Sequence, residues 1–105
     1  MKEPKWLGKK DEKRDFATKR EKWLAKKLGA KLRSNSGATW SQKADIVYGD
    51  DLIEMKSTVK NQMVVKREWL DKIRQEAIKE GKNPVLVLDF GDLILIGQVV
   101  NGKDA

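Results

Sequence analysis

Apolar positions in the chain recur with two periods. Between Asp11 and Leu28, Phe16, Trp23, Leu24 and Leu28 fall on one helical stripe, with Ala17 and Arg20 beside it. That spacing predicts an amphipathic helix with one buried side. Asp11 and Glu12 suit its first turn, Lys26 and Lys27 its last, and Gly29 its C-cap. A second stripe, Trp69, Leu70, Ile73 and Ala77, predicts a helix over 67–80 that ends at Gly81. Between the helices the pattern shortens to strand length. Residues 30–33 suit a short strand, 44–48 and 52–57 a hairpin, and Gln62–Val65 a further extended piece. After the second helix, Pro84–Phe90 (PVLVLDF) is a continuous apolar run, the pattern of a central strand. Gly91-Asp92 then predicts a tight turn into a last strand, Leu93–Val100.

The expected order is therefore α-β-β-β-α-β-β, an α/β fold with a central mixed sheet flanked by two main helices. Residues 1–10, with Pro4, Gly8 and four lysines, are expected to be a flexible basic arm, and 11–105 a single domain. The polar segment SNSGATWSQK (34–43) reads as a loop. Trp23 and Trp69 are expected in the core; Trp40 is placed in the loop, where it could stack on an opened base or pack at a dimer interface.

The hairpin carries the candidate chemistry. Gly49-Asp50 suits a two-residue turn, because glycine takes a positive φ at the first central position. Tyr48 then pairs with Asp51, Ile46 faces Ile53, and Asp45 faces Glu54. Side chains alternate along a strand, so Lys56 shares a face with Glu54. Like charges facing each other across two strands are destabilising. A divalent cation would neutralise them; an exposed hairpin face with a Glu–Lys pair is the plainer alternative.

Composition narrows the chemistry. The 105 residues contain no cysteine and no histidine. Disulfides and Cys- or His-based metal sites are excluded, so a bound metal would need oxygen ligands, which points to Mg²⁺, with Mn²⁺ as a substitute. General base chemistry would fall to a carboxylate, a lysine or a metal-bound water. No segment has the length and apolarity of a membrane span, and the start MKEPKWLGKKDEKRD lacks the apolar core of a signal peptide. An intracellular protein is expected, in cytoplasm or nucleoid; the compact size would suit a phage protein acting in its host.

The net charge is +7 and uneven. Residues 1–43 hold 14 Lys/Arg against 5 Asp/Glu, and residues 44–105 hold 9 against 11. The basic half would attract a polyanion by counterion release; a solvated lysine-rich surface is the alternative.

The pattern Asp45-x₈-Glu54-x-Lys56 on a hairpin resembles the PD-(D/E)xK nuclease superfamily, although Ala44 stands where that family usually has proline. The chain is similar in more detail to the Holliday junction resolvase-like nucleases of archaea and phages. It shows Glu21 in the first helix, SNSGA at 34–38, Asp45-Ile46, and Glu54-Met55-Lys56-Ser57. The likeness spans roughly residues 16–90. It implies a restriction-endonuclease-like domain. It implies metal held by Asp45, Glu54 and the Met55 carbonyl with help from Glu21, and Lys56 positioning the attacking water. DNA contacts fall to Arg33, Ser34, Ser36, Lys43 and Lys60, in a homodimer that cuts branched DNA. Without the likeness, Glu21 is equally well an i,i+4 surface partner on its helix. A nickase, a restriction-type or flap-cutting enzyme, a non-catalytic nucleic-acid-binding module and a protein–protein adaptor are the competing readings.

Overall fold

A computed structural model describes the backbone of residues 5–34 and 44–103, and the side chains of 16–33 and 46–103. Its elements are α1 (Lys5–Leu28), β1 (Lys31–Ser34), β2 (Ala44–Tyr48), β3 (Asp51–Ser57), α2 (Arg67–Glu80), β4 (Asn83–Asp89) and β5 (Ile94–Gln98). The order is the expected one, in an α/β fold with a mixed five-stranded sheet.

The strands lie in chain order, β1-β2-β3-β4-β5. Only β3 and β4 run parallel. A parallel neighbour requires a crossover, and α2 supplies it. The other neighbours are antiparallel and joined by short connections.

The strands' alternation divides the core between two faces. Ile46, Ile53, Met55, Val85 and Val87 pack with Leu24 and Ala25 of α1. Leu52 packs on the opposite face against Ile73 and Ala77 of α2. Each face thus supplies one apolar layer, and each helix packs part of its stripe against it.

Both predicted helix stops hold. Gly29 and Gly81 adopt φ of 69° and 66°, a left-handed conformation that glycine enters without a Cβ penalty. The Ala30 N–H bonds back to the Ala25 carbonyl and the Lys82 N–H to the Ala77 carbonyl, closing both helix ends.

Three expectations change. α1 begins at Lys5, so residues 5–10 are helical and not part of an arm, while 1–4 lie outside the described residues. Pro4 stands just before the first helical residue, where it is tolerated, and Gly8 costs a helix only about 1 kcal/mol. No acid therefore lies in the first turn. Gln62–Val65 joins no strand and runs as coil from β3 to α2. Trp23 is a surface residue, with its ring 4.2 Å below the Arg20 guanidinium; stacking on an arginine satisfies an aromatic face without burying it.

Candidate active site

The hairpin forms in the expected register. Tyr48 pairs with Asp51, Val47 with Leu52 and Ile46 with Ile53, and Gly49 opens the turn with φ 59°. There the β2–β3 ladder stops, one rung short of the expected Asp45–Glu54 pair. β2 continues, pairing Asp45 with Arg33 of β1. β3 continues too, pairing through Ser57 with β4. The two strands therefore part company at Asp45 and Glu54, and the sheet opens there into a fork.

The fork exposes backbone as well as side chains. The Thr58 N–H donates to the Asp89 carbonyl of β4, and the Asn83 N–H to the Asp50 carbonyl. Backbone groups alternate sides along a strand, so the even residues from 50 to 58 address β4 and the odd ones address β2. The Met55 carbonyl consequently points to the β2 side, past the last rung.

Glu54 is buried, at 6% exposure. It stands between Ile53 and Met55, which face α1, so its carboxylate projects to the α2 side. Lys56 follows on the same face. Its Nζ lies 3.2 Å from Glu54 Oε1 and 4.7 Å above the centre of the Trp69 ring, in the first turn of α2. A lysine head normally escapes to water. Here a carboxylate on one side and an aromatic face on the other hold it. Trp69, assigned to the core from its stripe, is half-buried and acts as this ammonium's floor. Replacing Trp69 with leucine should remove the ring current from the Lys56 ε-methylene protons. Their NMR signals are expected upfield of ordinary lysine in the native chain and at ordinary positions in the variant.

Glu21 is buried in the α1 interface, at 4% exposure, on the opposite face of β3 from Glu54 and Lys56. Its height along the sheet is fixed by its neighbours. One turn on, Leu24 and Ala25 sit over Ile46, Ile53 and Met55; the preceding residue, Arg20, reaches Asp89 beside Ser57. Glu21 is thus level with the fork, approaching it from the far side.

Sequence reasoning missed the cluster that closes this end of the sheet. Asp89 is fully buried, at 0% exposure. Its carboxylate accepts hydrogen bonds from Arg20 Nε (2.6 Å) and Nη2 (2.9 Å), from Ser57 Oγ (2.9 Å) and from the Gly91 N–H (2.8 Å). Burial pushes its pKa up, but the hydrogen bonds, led by Arg20, outweigh burial and hold it below the ordinary aspartate value. The cluster ties α1, β3 and β4 together directly after Lys56. An acid ending a continuous apolar run was the available signal, since such a group must find a partner.

The remaining predicted residues are less gathered. Arg33 makes a bidentate pair with Glu80 at 2.8 and 2.7 Å, and those hydrogen bonds keep the Glu80 carboxyl below its usual pKa. Lys60 is exposed in the coil after β3, its backbone N–H bonded to Thr58 Oγ1 at 3.1 Å. Ser34 ends β1 opposite Ala44. The side chains of Ser34 and Asp45, and the whole of Ser36, Trp40 and Lys43, lie outside the described residues. Among the described residues, no group of three or more acids gathers as a metal site, and no helix is long and apolar enough to cross a membrane.

The chain matches no family model, no curated protein and no solved structure. Functional assignment therefore rests on the geometry of the fork and on the resemblance of its residues.

Proposed function

We propose that this chain is a metal-dependent endonuclease of the PD-(D/E)xK type, acting on branched DNA as a Holliday junction resolvase-like homodimer in recombination or repair inside the cell. One observation carries the proposal. A buried glutamate, two residues before a lysine whose ammonium it touches, stands one rung past the last β2–β3 pair, where the facing position on β2 is an aspartate. A binding module has no use for buried carboxylates that repel its polyanionic ligand.

The donor set suits a hard cation. Asp45, Glu54 and the Met55 carbonyl are the proposed ligands, all oxygen, which fits Mg²⁺ or Mn²⁺. Glu21 is the proposed helper from the α1 side of the fork. The cation would supply Lewis acidity toward the phosphate and ease deprotonation of a water. Lys56 does the remaining work. Held by Glu54 and Trp69, its ammonium is fixed beside the carboxylate, where it orients the attacking water or balances negative charge growing on the phosphate. Burial of Glu54 excludes bulk water, which strengthens each of these interactions.

Substrate binding falls to the basic half of the chain. Arg33, Ser34, Ser36, Lys43 and Lys60 are the proposed phosphate contacts, with Arg33 exchanging Glu80 for a phosphate. Such contacts read charge and shape more than base edges.

The test uses labelled four-way junction, linear duplex and single strands, each with Mg²⁺ or with EDTA. Paired symmetric nicks confined to the junction and abolished by EDTA are expected. Metal-dependent cutting of duplex would keep the nuclease and remove the junction preference. Tight binding without cleavage under any divalent metal would overturn the catalytic reading.

A further inference from the structure

The helices do not cover the whole sheet. α1 lies over β1–β3 and α2 over β3–β4; of β5, Ile94 at its start packs against the α1-side core, while Leu95 and Ile96 stay exposed. That strand is also the sheet's edge, pairing among the described residues with β4 alone. Sheet faces and edges of globular domains are ordinarily covered or blunted by charges, proline or bulges. Among the described residues, this edge has none of those. Residues 93–100, LILIGQVV, contain no charge, in a chain of which 37% is charged. Leu93, Leu95, Ile96 and Val100 each expose more than half of their surface. Beside them an apolar groove of about 320 Å³ runs between Leu70 of α2, Leu86 and Leu88 of β4, and Leu95, Val99 and Val100.

We infer that β5 and this groove form the two-fold interface of a homodimer, in which the β5 strands of two copies pair antiparallel. The inference rests on the dimeric half of the reading above and is independent of its chemistry.

Three observations select a second copy as the occupant. The first is charge. Copies of a +7 chain repel each other over most of their surfaces. Residues 83–103 hold only Asp89, already paired with Arg20, Asp92 and Lys103, so this corner is where two copies can meet. The second is geometry. Two copies of one edge strand pair antiparallel about a two-fold axis, so the surface complements itself. The pairing satisfies the outer backbone groups of β5 on both copies at once and continues the sheet across the axis. The third is size. The chain exposes 8145 Å², and a standard interface takes about 800 Å² from each partner, with an apolar centre and a polar rim. The strand and groove supply that centre.

The test is sedimentation equilibrium of the full chain, with single cysteines introduced in turn at 94–98 and, as control, at exposed Lys72. The native chain has no cysteine, so each variant reports one position. Facing residues of an antiparallel pair have Cα atoms about 4.5–5.5 Å apart, within disulfide reach. A dimer at micromolar concentration is expected. Oxidation should cross-link at one or two β5 positions and not at Lys72→Cys. The double variant Leu95→Lys/Ile96→Lys, whose side chains are exposed and should fold with native circular dichroism, should dissociate about 100-fold more readily. A native chain that stays monomeric throughout, or a dimer indifferent to the lysines and without β5 cross-links, would overturn the inference. DNA cleavage is not read in this experiment, so an inactive dimer would remove the nuclease chemistry and leave the interface standing.

Discussion

Glu54→Ala should reduce junction cleavage about 10³-fold or more while leaving DNA affinity equal to or above that of the native chain. Removal of a single preorganised electrostatic group costs enzymes about 10²–10³ in kcat. On the proposed reading Glu54 would hold the cation as well as fix Lys56 at 3.2 Å, so the loss should lie at or beyond the upper end of that range. If phosphate binding falls to the basic half, as proposed, it should gain when a buried negative charge leaves the site. Glu54→Gln keeps the side-chain volume and should be nearly as inactive, which separates lost charge from lost shape. Single-turnover cleavage alongside binding titrations at fixed salt would read both quantities. Equal loss of binding and cleavage would mean that Glu54 supports the fold and not the reaction.

Asp89→Ala should cost about 3–5 kcal/mol of folding stability, the range for breaking a buried ion pair by removing one partner. The substitution strands Arg20 and withdraws the acceptor for Ser57 and Gly91 together. Domains of this size are stable by only about 5–15 kcal/mol, and each kcal/mol shifts Tm by roughly 4–8 °C. A fall of roughly 12–40 °C is expected in thermal denaturation. The same site gives a pH signature. Its folded pKa is depressed, so its stabilisation is complete above the ordinary aspartate pKa of about 3.9 and is lost as pH falls through the folded value. Urea titrations at pH 7 and pH 3 should show a steep loss in the native chain. Asp89→Asn, weaker at pH 7, should have a shallower dependence over that interval.

What the sequence discloses and what it hides follow from range. Local signals sufficed for α2, whose bounds agree at both ends, and for the β2–β3 register, since Gly49 fixes the turn and the turn fixes every rung. Gly29 and Gly81 likewise marked the helix ends. The start of α1 was obscured because Pro4 and Gly8 look like breakers in isolation. Long-range contacts left no periodic trace. Arg20 and Asp89 are 69 residues apart, and Trp69 meets Lys56 only because the crossover brings the first turn of α2 over the end of β3. A stripe locates the side of a helix that faces the sheet, yet it cannot say whether an aromatic there is buried or carries a cation. Trp23 and Trp69 both turned out to carry one.

The proposed function depends on the fork's holding a divalent cation, and Mn²⁺ titrated into ¹⁵N-labelled native protein tests that most directly. Paramagnetic broadening should begin at the amides of Asp45, Glu54, Met55 and Lys56, spare the exposed acids of α2, and vanish in Glu54→Gln. Broadening absent from the fork, or spread evenly over Asp71, Glu76 and the other surface carboxylates, would contradict a metal-dependent active site at this position.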